Sequence, residues 1–437
     1  MKKLSFQKIF CFISILFIMS CCIFYGTRFI KLYIQNEKNN TEAKNSLAEK
    51  IYKNNEGKET FKKINNDYYF VGNATNNYLE YSNILWRIIK INNSNEILLI
   101  SDSSLTSLAF GQDVNFESSY INKWLNPTEK EHTGILLSSL NNTSKFLTTN
   151  TYCADNINTI DNSECKENVK VGELSLLNTT DYANVGKDSY LSNNEYFYLA
   201  NTTEDNKIWY ISDDGKVMTS TGIDIIGVRP TIVLKANLDY RDGNGKKDDP
   251  YLIEDEKALF GSYVKLDNTM WRVYKVNDTE VRLSLNDYLM INNKALTYKY
   301  SNNSSYHNDT VSGSIAYYLN HDFLNSLTYK NKIKEVKWSN GYYGSSSNYD
   351  YVASLETEID SKVALLSVGD VNLTSLEDYY FMTGSALKGT MLYTAKSNKK
   401  LATKYMTTTL NVIPTISIDK DLLTEGNGTF DSPYELG

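Results

Sequence analysis

The chain has 437 residues, with 45 Lys and Arg against 52 Asp and Glu and a formal net charge of -7, giving a pI near 5.3. An acidic chain without a stripe of Lys and Arg excludes nucleic acid as an expected partner, because phosphate binding needs clustered cations. The length exceeds one ordinary core and fits two modules plus a leader.

The chain opens on Lys2, Lys3 and Lys8, followed by an apolar run from Ile9 to Tyr25. With the mostly apolar residues up to Ile34, this run approaches the roughly 20 residues needed to cross a bilayer. Residues 1–35 are therefore expected to form a short cytoplasmic tail and a transmembrane signal-anchor, making the membrane a partner and placing the rest of the chain outside the cell. A cleaved signal peptide is the alternative, and Ile18-Met19-Ser20-Cys21 resembles a lipoprotein box. Against both, no small-x-small site closes the run, and Cys22-Ile23-Phe24-Tyr25 continue it. Residues 36–66 are rich in Asn, Lys and Glu, with Leu47 and Ile51 on one thin apolar stripe and Thr41 as a candidate N-cap. They read as a polar stalk or short helix, solvated rather than packed.

Strand signals follow. Tyr68 to Gly72, Tyr78 to Tyr81, Leu85 to Ile91 and Glu96 to Ile100 are short aromatic and β-branched runs separated by turns such as Asn92-Asn93-Ser94-Asn95, which predicts a meander. Apolar residues at helical spacing predict a helix over Ser119–Asn126. Later strands are expected over Lys207–Ile211, before the turn Asp213-Asp214-Gly215, and around Pro230.

The same landmarks then return. Trp86-Arg87-Ile88-Ile89-Lys90-Ile91-Asn92 reappears as Trp271-Arg272-Val273-Tyr274-Lys275-Val276-Asn277, and Val228-Arg229-Pro230-Thr231-Ile232 as Val412-Ile413-Pro414-Thr415-Ile416. Gly243-Asn244-Gly245 with Pro250-Tyr251 reappears as Gly426-Asn427-Gly428 with Pro433-Tyr434, and the Ser119 helix as Ser314–Asn320. A period of about 184 residues is far longer than a solenoid unit, and each copy is large enough to bury its own core. The expected fold class is α+β, as two tandem homologous, strand-rich modules over 67–255 and 256–437, the second diverged.

Outside the leader, Cys153 and Cys165 are the only cysteines, and an even number in an outside location predicts a disulfide across a polar, turn-prone loop. Two free thiols are the alternative. A zinc site is poorly supported, with His132, His307 and His321 the only histidines to complete a ligand set.

These motifs resemble an uncharacterised family of Gram-positive surface domains. In that family a Trp-Arg strand opens the domain, a Leu-Leu-Thr-x-x-Glu-Tyr element lies in the middle, an aromatic run follows, and a Gly-Val-Arg-Pro strand closes it. The first module matches with Trp86-Arg87, Leu176-Leu177-Asn178-Thr179-Thr180-Asp181-Tyr182, Glu195-Tyr196-Phe197-Tyr198-Leu199 and Gly227-Val228-Arg229-Pro230. The second departs further: Val412-Ile413-Pro414 lacks the arginine, and Leu365-Leu366-Ser367-Val368-Gly369-Asp370-Val371 lacks the closing tyrosine. More distantly, the plan is similar to C-type-lectin-like folds, an analogy of fold alone. The resemblance implies a place on the cell surface and no catalytic residue.

Candidate chemistry is sparse. Adjacent strand residues face opposite sides, so Trp86 and Trp271 are expected in the core, with Arg87 and Arg272 pointing elsewhere. Arg229 beside Pro230 is a binding candidate, with an ion pair to Asp224 as the structural reading. Trp124, Trp209 and Trp338 are candidates for exposed sugar-stacking residues, with core packing as the competing role. Asp242, Asn244 and Asp248, with Asp249, gather oxygens around two glycines as a calcium loop does. A plain glycine turn uses the same residues. No His-Glu-x-x-His, Gly-x-Ser-x-Gly or Walker loop is present, so no catalytic set is selected. The expectation is a membrane-anchored extracellular binding or adhesion protein with two lectin-like modules recognising a glycan or a protein. The alternatives are a structural cell-envelope component and a surface hydrolase. Any ligand site is expected on the first module.

Overall fold

The computed structural model describes residues 46–437 except 164, 255, 304–306 and 346–347. Among the described residues no helix is long and apolar enough to cross a membrane. The expected single-pass membrane localisation is corrected on that finding, and the run on which the anchor was placed, residues 1–35, lies outside the described residues, as does the Thr41 cap.

The chain is strand-rich α+β. Its first half is built on a sheet in which Leu174–Ser175, Thr231–Leu234, Ile97–Ser101, Ile84–Ile91, Tyr78–Tyr81 and Tyr251–Ile253 lie side by side. Ile97–Ser101 is buried along its whole length, with a strand paired on each side of it. Trp86 is fully buried, and its indole N–H donates to the Tyr81 carbonyl at 3.0 Å. The second half repeats the order with Tyr263–Leu266, Thr269–Val276, Glu280–Leu285, Thr415–Asp419 and Val363–Ala364.

One irregularity is repeated as well. In the first sheet Arg87 pairs with Ile100 and Ile88 with Leu99, but Lys90 pairs with Leu98, leaving Ile89 as an extra residue. In the second, Arg272 pairs with Ser284 and Lys275 with Arg282, leaving Tyr274 over. Residues opposite each other share a face and strand residues alternate. Each bulge therefore turns the lysine to the face of the arginine three residues before it, away from the tryptophan.

The glycine loops have a physical cause. Gly243 and Gly426 sit at φ 91° and 85°, where L side chains are strained, and a Cβ on either would overlap the carbonyl oxygen of Pro250 or Pro433. The amides of Asn244 and Gly245 both donate to the Asp249 carbonyl at 3.0 Å, and those of Asn427 and Gly428 to the Ser432 carbonyl at 3.0 Å.

Residues 47–70, read from the sequence mostly as stalk, pack instead. Ser46 caps the helix Leu47–Asn55 by accepting from the Glu49 amide at 3.2 Å, and Leu47 and Ile51 are fully buried. The hairpin Phe61–Ile64/Asp67–Phe70 continues onto the Ile84–Ile91 strand. A second sheet, Val217–Ser220, Ile208–Ile211, Phe197–Thr202, Ile226–Val228 and Thr106–Leu108, lies beyond the first. The halves are bonded to each other directly: the Tyr343 hydroxyl accepts from the Ala109 amide at 2.8 Å, Lys123 meets Asp350 at 3.0 Å, and Arg272 donates to the Asn83 carbonyl at 2.8 Å.

Candidate functional site

A cavity of about 540 Å³ opens on the bulged face of the first sheet. Leu98 and Val233, opposite each other on neighbouring strands, line it together with Lys90. Three turns and a helix start make its rim: the hairpin turn Asn65-Asn66, the turn at Asn92-Asn93, the disulfide loop at Cys165 and Asn168, and the first turn of the helix Thr179–Val185. Asn65 takes the positive φ of 53° that a tight hairpin demands and that Asn tolerates. Asn92 holds its own turn, its side-chain oxygen accepting from the Ser94 and Glu96 amides, each at 2.9 Å.

At one end of the cavity the Lys90 ammonium lies 3.2 Å from Asp67 and 3.0 Å from Asp181, and donates to the Tyr69 hydroxyl at 3.0 Å. Tyr69 in turn donates to Asp181 at 2.7 Å. Burial works against the ammonium, but Asp181 and Tyr69 outweigh it and hold the Lys90 pKa well above the ordinary lysine value. Burial, then Asp181, push the Tyr69 hydroxyl pKa well up, so it stays a neutral donor. Asp181 comes from the central Leu176–Tyr182 element, which the helix presents in its first turn.

The arrangement offers donors, acceptors and planar amides in a concave setting, which is how proteins grip hydroxyl-rich ligands. Among the described residues no His, Ser or free thiol lines it; of its three carboxylates, Asp67 and Asp181 face one ammonium and Glu96 accepts from the Asn92 side-chain amide at 2.8 Å.

The residues singled out in the sequence lie elsewhere. Trp124 is fully buried and donates its indole N–H to the Gly369 carbonyl of the second half at 2.7 Å, so it is not a stacking platform. Trp209 is half-buried and donates to the Ile157 carbonyl in the disulfide loop at 2.7 Å. Trp338 is buried, with its indole N–H on the Ser361 carbonyl at 2.8 Å. Arg229 is fully buried and donates to the carbonyls of Ser101 at 2.9 Å and Leu191 at 2.7 Å, with its guanidinium over Phe197. It forms no ion pair with Asp224, whose carboxylate accepts instead from Ser220 at 2.8 Å. Buried and bonded to backbone, Arg229 is a structural residue.

In the glycine loop, Asp242 accepts from the Gly243 amide at 2.8 Å and Asn244 from the Lys246 amide at 3.1 Å. Asn244 is thus the acceptor of an Asx turn and Asp242 is held by the adjacent Gly243 amide, which matches the plain glycine turn that competed with the calcium reading of Asp242, Asn244 and Asp248. Cys153 and Cys165 are joined, with Cα atoms 5.8 Å apart. They and Asp155 are the one group of three or more His, Cys, Asp or Glu among the described residues whose ligand atoms converge. The disulfide withdraws both sulfurs from metal binding.

Comparison of the chain with family models, with curated proteins and with solved structures gave no match. The Lys90 cluster was missed in the sequence. The one available signal was that lysine recurs at the same place in both Trp-Arg strands, at 90 and 275.

Proposed function

We propose that this protein is a glycan-binding protein whose first-half cavity receives a neutral sugar. The observation that carries the reading is the internal pairing of Lys90 with Asp67 and Asp181 inside a cavity of about 540 Å³ rimmed by asparagines. With Asp67 and Asp181 already paired with Lys90, and Glu96 held by the Asn92 amide, the cavity leaves hydroxyl-matching amides and carboxylate oxygens and, among the described residues, no free cation for an anionic ligand. A two-module, lectin-like organisation related to the Gram-positive surface domains belongs to the same reading. Its support is the strand order, bulge and glycine loop that recur in both halves. The Cys153–Cys165 bond supports an oxidising compartment.

The test is a glycan array probed with the full chain, followed by calorimetry on any hit. A neutral oligosaccharide is expected to bind, and Asp181→Asn to weaken it roughly 10-fold or more through the lost charge-assisted hydrogen bonds. If neither the array nor cell-envelope polysaccharide retains the folded chain, the reading is wrong.

A further inference from the structure

The second half carries a cavity of its own, also about 540 Å³. Lys275 occupies the place of Lys90, turned to the cavity face by the bulge at Tyr274, and Asp370 of the second central element occupies the place of Asp181. The charges are arranged differently. Where Leu98 stands opposite Lys90, Arg282 stands opposite Lys275, so two cations lie side by side on the cavity floor. Arg282 is partly satisfied, 3.5 Å from Glu280, donating to the Lys337 carbonyl at 2.9 Å and lying over the Trp338 ring.

Lys275 is not satisfied. Its ammonium has no ion pair or hydrogen bond among the described residues, and burial, then Arg282, push its pKa down against the weaker opposing pull of Asp370, Glu280 and Glu358. Burial likewise pushes the Asp370 carboxyl up, while Asp370 accepts from the Ser367 amide at 2.8 Å. The first cavity sets one cation against the carboxylates of Asp67, Glu96 and Asp181. The second sets Lys275, Arg282 and Lys337 against three carboxylates. Thr133, Ser139, Asn277 and Ser339 line part of the remainder, beside His132 and apolar side chains such as Ile135.

We propose that the second cavity binds a sugar bearing an anionic group, a carboxylate or a phosphate ester, with Lys275 as the cation that receives it and Arg282 beside it. A half-buried ammonium beside a guanidinium, with no carboxylate within ion-pair distance among the described residues, favours an anion that closes on it, and the hydroxyls of the lining suit the sugar ring. Because Thr133 and Ser139 belong to the first half, an occupant touches both halves and stabilises them together. The inference stands apart from the neutral-sugar reading of the first cavity.

The experiment is calorimetry and thermal melting of the full chain with three probes: an oligogalacturonate, glucose 6-phosphate and neutral maltotetraose. At least one anionic probe is expected to bind and raise the melting temperature. Lys275→Met is expected to weaken it roughly 10- to 100-fold while leaving any neutral-glycan binding unchanged. Arg282→Leu, which restores the residue type of the first cavity, is expected to weaken it less. The carboxylate and phosphate arms decide the source of the charge. The proposal fails if neither anion binds the folded chain, or if Lys275→Met and Arg282→Leu both bind it as the wild type does. A chain that binds neutral glycan but neither anion overturns this inference alone. One that binds an anion through Lys275 but no neutral glycan overturns only the other reading.

Discussion

His307 shows how a residue that is chemically versatile in the sequence becomes a fixed structural part once buried. It is 4% exposed, its Nε2 lies 3.0 Å from the Val363 carbonyl, and that contact makes Nε2 the protonated nitrogen of the neutral ring. Burial pushes its pKa down to about 4, with the Val363 carbonyl and Asp309 working weakly the other way. A depressed folded-state pKa means that the unfolded chain takes up the proton first. The stabilisation is complete above the ordinary histidine value of about 6.5 and is lost as the pH falls towards 4, a change of about 3 kcal/mol. Urea unfolding of wild type and His307→Gln between pH 7 and pH 4 checks this. The gap between the two curves is expected to narrow by about that amount, and a gap independent of pH would rule the account out.

At the scale of elements, the disulfide loop is a part whose contribution is separable. Cys153 ends the strand Asn150–Cys153, which pairs with Asn168–Gly172, and the loop between holds Trp209 through Ile157 and Thr180 through Ser163. In the chain-entropy view, closing a loop of this length contributes about 3 kcal/mol. Reductant, or the double change Cys153→Ser with Cys165→Ser, is expected to lower the melting temperature and shift tryptophan fluorescence to the red as the cover over Trp209 loosens. Unchanged melting and emission under reductant would show that the bond adds nothing to the fold. This loop was legible in the sequence because its cause is local, as were the Trp-Arg strands and the glycine loops at Gly243 and Gly426. The cavity was not. Simple alternation puts Lys90 on the side of Trp86, and only the extra residue Ile89 moves it to the face of Arg87. Trp124 and Arg229 escaped for another reason. Their partners, Gly369 and the Ser101 and Leu191 carbonyls, lie as many as 245 residues away, so neither burial nor bonding could be read nearby.

Across the whole molecule, the repeat keeps its framework and changes its electrostatics, so equivalent substitutions are expected to have opposite effects. Removing the Lys90 ammonium leaves the buried Asp181 without its half-buried counter-ion and Tyr69 without its donor. Breaking a buried pair from one side costs about 3–5 kcal/mol, so Lys90→Met is expected to unfold at markedly lower urea. Lys275 has no ion pair among the described residues, feels Asp370, Glu280 and Glu358 less than it feels Arg282, and faces Arg282 across the strands, a like-charge arrangement that destabilises a sheet. Lys275→Met therefore removes a desolvation penalty and a repulsion, and fills the space with an apolar side chain. It is expected to unfold at the same urea concentration as the wild type or a higher one. Measured side by side in the full chain without ligand, the two variants test whether the halves have diverged in charge while sharing a backbone. Equal destabilisation by both would mean that Lys275 is as well compensated as Lys90, and the distinction between the two cavities would fall with it.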